Sequence, residues 1–219
     1  MKLTVPSSLN DITLIQYQEY NQEIEARKNL PDAEEYLLIK KLEIFCKLSR
    51  EQVLSIEFTD INRISDIIDN ILKEQPALVE KFTCKDIRFG WLPDLNKMPY
   101  GEFLDLNSNI TDWNTMHIAM GVLYRPIVNE IKNGKYNIEK YEGEKYHWEL
   151  RQMPLSAVIG AMVFFWNLGL DCVKYITKSL EANQTEFQKQ LTLTETGIGI
   201  LQSMNSLEGT LQNMKILNK

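Results

Sequence analysis

The run from Leu155 to Leu170 constrains this chain more than any other stretch. It is apolar almost throughout, interrupted by Ser156 and Asn167. A helix that is apolar on every side belongs in a core. The run is also shorter than the roughly 20 residues that span a bilayer. We therefore expect a buried helix that begins at Pro154, where a proline suits a helix start, continues to about Leu180, and does not span a membrane. With 44% apolar and 25% charged residues, the chain has the material for a packed core around it.

Helical spacing recurs before this run. Ser8 or Asn10 can cap a helix from Ile12 to about Arg27. Asn29 to Asp32 breaks it, and Asp32 caps a second helix to about Leu48, with Tyr36, Ile39, Leu42 and Phe45 near one face. Ser49 and Gln52 fit a capping box for a short helix from Glu51 to Ile56. Thr59 or Asp60 caps a helix carrying Ile61, Ile64, Ile68 and Ile71, which Pro76 ends. Residues 83–92 suit a strand or hairpin, and Lys97 to Phe103 a helix start. Asp112 caps a helix bearing Trp113, Met116, Met120 and Tyr124, which Arg125-Pro126 ends or kinks. Asn133-Gly134 signals a turn. Residues 136–148 read as an exposed loop with a short hairpin.

The expected class is mainly α, with α+β as the alternative. It comprises a helical domain, a small β-hairpin element and a C-terminal helical tail. The expected units are residues 1–82, an aromatic-rich unit 83–182 holding the helix 154–180, and a tail 183–219. In that tail Ile200, Met204, Leu207, Leu211 and Met214 form a short heptad seam. Gly197, Gly199 and Gly209 weaken it by about 1 kcal/mol each, so it needs a partner surface, in cis or in trans.

The residue chemistry offers little for catalysis. The net charge of −6 disfavours a nucleic-acid surface, which needs clustered Lys and Arg. Cys46, Cys84 and Cys172 are scattered and odd in number, as expected of reduced thiols. His117 and His147 are the only histidines. Neither lies in a nucleophile motif, and with the cysteines they give no zinc spacing. His117 reads as a packed or half-exposed helix residue, His147 as a loop residue. Glu102 and Asp105, with Asp94 nearby, can bind a divalent cation or share acid–base work. The preferred reading is a helix cap and a solvated surface. Phosphate-loop and dinucleotide patterns are absent. No catalytic residue, metal ligand or cofactor is assigned, and the chain is expected not to be an enzyme.

Trp91, Tyr100, Phe103, Trp113, Tyr124, Phe164, Phe165 and Trp166 either form one core or leave some members on an exposed docking surface. Aromatics anchor interfaces because they bury a large area with few rotamers. The candidate partner-binding residues are Trp91, Tyr100, Phe103 and Trp113, with the tail seam Ile200, Met204, Leu207, Leu211 and Met214.

Four blocks carry a resemblance. They are Val5 to Gln18, with Asp11-Ile12-Thr13-Leu14; Lys41 to Leu54; Asp94 to Leu106, with Gly101-Glu102-Phe103; and Met116 to Pro126. Together they resemble tailed-bacteriophage assembly proteins, the tail-assembly chaperone group foremost, over residues 3–180. The tail after Glu181 has no counterpart. The resemblance implies a phage morphogenesis protein that binds tail, portal or capsid components without chemistry of its own. It would work in the host cytoplasm as a chaperone or reside in the virion as a structural component, with self-association through the tail. An unrecognised hydrolase is the remaining alternative.

Overall fold

A computed structural model describes residues 3–182. Helices dominate it, and four strands form one antiparallel sheet, so the class is α+β. In chain order the elements are α1 (Leu14–Arg27), α2 (Ala33–Phe45), α3 (Arg50–Leu54), α4 (Phe58–Ile71), β1 (Lys81–Cys84), β2 (Ile87–Trp91), α5 (Tyr100–Asn109), α6 (Met116–Leu123), β3 (Tyr124–Glu130), β4 (Tyr136–Ile138), α7 (His147–Leu150) and α8 (Leu155–Ala182).

The helix starts follow local hydrogen bonding. Ser49 caps α3, and the Gln52 side chain returns a bond to the Ser49 amide, as the capping-box pattern predicts. At α1 the cap is Thr13, paired with Gln16, and not Ser8 or Asn10. Ser8 instead caps a single 3-10 turn at Leu9–Asp11. Helix α4 begins two or three residues earlier than expected, after Glu57. Helix α6 starts at Met116. Asp112 has already used its carboxylate to accept from the Asn114 amide.

The sheet order is β1-β2-β3-β4, a meander. Lys85 and Asp86 both take positive φ, which gives β1–β2 a turn whose twist matches its strands. Strand β3 departs from the sequence reading, which ended a helix at Arg125-Pro126. Leu92 donates to the Leu123 carbonyl, so alternation makes Gly90 and Arg125 the next bonded pair. Pro126 then faces Phe89 at a position that requires no amide donor toward β2. That is how the strand tolerates it. Asn133 and Gly134, both at positive φ, turn β3 into β4 as expected.

Helix α8 is the centre of the core over its first two turns. Leu155, Ala157, Val158, Ile159, Ala161 and Met162 are fully buried. Gly160 lets the segment before β1 come close, since a Cβ there would lie 2.5 Å from the Ala77 carbonyl oxygen. After Met162 the helix leaves the interior, and Leu168 is exposed. The buried set runs from Leu9 to Met162 as one cluster. No helix among the described residues is long and apolar enough to cross a membrane.

Candidate functional site

The aromatics divide into two groups. Trp91 lies edge-on to Tyr124 at 5.1 Å and to Phe164 at 5.6 Å, inside the core. Trp113 is buried against Tyr17, with ring centroids 4.4 Å apart. These two candidate docking residues are therefore interior, and their area is already covered by the chain itself. Tyr100 and Phe103 stand outside, 73% and 41% exposed, with Leu104 at 44%. Positions 100, 103 and 104 share one helical face. The Tyr100 and Phe103 rings stack at 6.4 Å. The tail residues Ile200, Met204, Leu207, Leu211 and Met214 lie outside the described residues.

The opposite face of α5 is fixed. Leu106 is buried, and Glu102 pairs with the buried guanidinium of Arg125 on β3. Arg125 also donates from Nε to the Val122 carbonyl at 3.1 Å and sits 5.4 Å from the Tyr141 ring centroid. The Tyr141 hydroxyl donates to Asp105 at 3.0 Å. Burial, and that bond to a carboxylate, push the tyrosine hydroxyl well above its usual range. Asp94 turns elsewhere. Its carboxylate accepts from the Asn96 amide and pairs with Lys97, and the lysine contact is the main reason its pKa is lowered. Glu102, Asp105 and Asp94 thus hold three different partners. Among the described residues no three His, Cys, Asp or Glu side chains converge in a way that could hold a metal ion.

The two histidines meet. Their rings contact edge to face at 5.4 Å, His117 on α6 and His147 on α7. His147 is not a loop residue on the surface but is buried, with its ring lying beside Gly121 of α6. His117 belongs to a polar cluster. Gln18 of α1 donates to the Trp113 carbonyl at 2.6 Å and lies 3.2 Å from His117 Nδ1. Arg151 donates from Nε to Gln18 Oε1 at 3.3 Å. Burial, then His147 and Arg151, hold the His117 pKa down to about 4. Burial lowers that of His147 too.

The sequence reading did not pick out this pairing. Thirty positions separate the histidines, and neither has a motif around it. Its one signal was that the chain contains no other histidine. Of the remaining features, Cys46 forms part of the floor of a cleft of about 390 Å³ beside Thr4, Pro6 and Asp11. Burial pushes its thiol up to about 11, which keeps it protonated and unreactive near neutral pH.

The arrangement therefore offers a helix held from behind, with an apolar outward face, and separately a pair of touching histidines, His147 buried and His117 half-buried. In comparisons with known proteins, the chain matches no family model, no curated protein and no solved structure.

Proposed function

We propose that this protein works in bacteriophage morphogenesis and binds another phage protein through the outward face of α5. The observation that carries the reading is the exposed trio Tyr100, Phe103 and Leu104 on a helix pinned from behind by Glu102 and Arg125. Exposed aromatics on a fixed backbone bind with little loss of rotamer freedom. The phage setting rests on the resemblance carried by the blocks between Val5 and Pro126. The partner is a tail, portal or capsid component, and the reading needs no covalent chemistry. Its place is the host cytoplasm during assembly.

The test has two parts. Mass spectrometry of purified phage particles distinguishes the roles. Absence from particles, with recovery on assembling tails, fits a chaperone, and fixed stoichiometric recovery marks a virion component. The double change Tyr100→Ser, Phe103→Ser should then lower recovery at least tenfold while the protein stays folded. Unchanged recovery would remove α5 from the binding surface. Truncation at Glu181 with light scattering tests whether the seam from Ile200 to Met214 drives self-association.

A further inference from the structure

We infer that the His117–His147 contact is an acid-opened latch, which holds α7 and the segment leading into it against α6 only while both imidazoles are neutral. This goes beyond the proposed docking role and does not depend on it.

The geometry fixes the proton positions. Arg151 has only donors, so Gln18 must present Oε1 to it and turn its amide nitrogen toward α6. That nitrogen is itself a donor, so His117 Nδ1 beside it must carry a lone pair. A proton on Nδ1 would set donor against donor. His147 is 8% exposed, and its Nε2 has no hydrogen-bond partner among the described residues. A proton on Nε2 would be buried with nothing to accept it.

The charged and titratable groups around the pair offer no rescue. From α6 there is His117 itself. From α7 and its approach there are Glu144 and Arg151. From β1 there is Cys84, whose thiol donates to the Glu149 carbonyl at 3.2 Å. Helix α1 contributes the neutral Gln18, and β2 contributes Phe89 against Tyr146. Glu144 is the carboxylate whose charge acts on both rings, while Glu149 of α7 acts on Cys84. Glu144 stands 3.9 Å from His147 Nδ1 and is largely in solvent, so it holds an imidazolium weakly. Arg151 and a second imidazolium would both repel.

The chain is built to swing at this place. The amides of Leu14 and Ile15 at the start of α1 bind the carbonyls of Met153 and Arg151. They anchor the far end of the segment while 144–150 is held by side chains. Opening uncovers Leu150 and the Gly121 surface of α6, both buried when the latch is shut.

The test is amide hydrogen exchange on the full chain from pH 7.5 to 5, corrected for the intrinsic pH dependence of exchange. The opening equilibrium read at Leu150 should be flat above pH 6.5. Below it the equilibrium should rise by up to about tenfold per pH unit for each histidine. Val158 and Ile159 in α8 should stay protected over the same range. The change His147→Phe should remove one proton from the slope. Uniform protection across the range overturns the latch, as does an unchanged slope in the variant or equal opening at Val158. If His147→Phe does not fold, NMR titration of the wild-type rings decides. His117 should titrate near 4 and His147 below 6.5, and a His147 titration at or above 6.5 overturns the proposal.

Discussion

Single side chains in this fold answer to what lies within a few ångströms of them, and two positions make that measurable. At Gly160 an added methyl meets the Ala77 backbone carbonyl, which cannot rotate away as a side chain would. Gly160→Ala should therefore destabilise by about 1–3 kcal/mol despite the better helix propensity of alanine. Urea denaturation reads it, and a gain in stability would show that the backbone yields. Lys41 of α2 is buried and reaches Ser65 at 2.9 Å and Asp69 at 2.7 Å on α4. Losing one partner of such a pair hurts more than replacing the buried ion by an apolar chain. Asp69→Ala should cost about 1–3 kcal/mol, since Asp69 keeps part of its solvent, and Lys41→Met should fall within about 1 kcal/mol of wild type. The reverse order in denaturation midpoints would contradict this account of the pair.

At the scale of elements, caps and faces make separate demands. Thr13 and Gln16 close the start of α1, and Thr13→Ala should cost about 1 kcal/mol in the same assay. On α5 Tyr100 is mostly exposed and Phe103 partly so, so Tyr100→Ser with Phe103→Ser should shift stability by no more than about 1 kcal/mol. Loss of partner binding without loss of stability would identify the face as a docking surface. A large stability loss would identify it as core. Strand β3 exists for a reason that belongs to the sheet. Tyr124 is buried among Phe82 and Trp91, and its hydroxyl donates to the Val79 carbonyl at 2.8 Å. That contact and the pairing with β2 draw the chain out of α6 into an extended run.

For the whole molecule, the acid limb of stability follows from the histidines. Burial, and then the neighbouring His147 and Arg151, lower the folded pKa of His117 below its unfolded value near 6.5, to about 4. The unfolded chain therefore binds the proton more readily. The neutral pair's contribution is complete above pH 6.5 and is lost as pH falls from there toward 4. Asp11 and Asp94, whose carboxyls are held low chiefly by Ser7 and Lys97, lose their contributions only below about 4. Urea midpoints should be level between pH 8 and 7 and decline by pH 5. A level profile down to pH 5 would mean that the rings are solvated.

The sequence alone was enough to place most helices, the capping box at Ser49, the turn at Asn133-Gly134 and the buried start of α8. Each depends on neighbours within a few positions and on a period that repeats along the chain. It could not show that Trp91 and Trp113 lie inside while Tyr100 and Phe103 lie outside, because all four are aromatics in similar local settings. Nor could it turn Tyr124 to Glu130 into a strand, bring Arg125 to Glu102, or set His147 against His117. Those outcomes are contacts between segments distant in sequence. They are decided by which surfaces the packed helices and sheet leave facing one another.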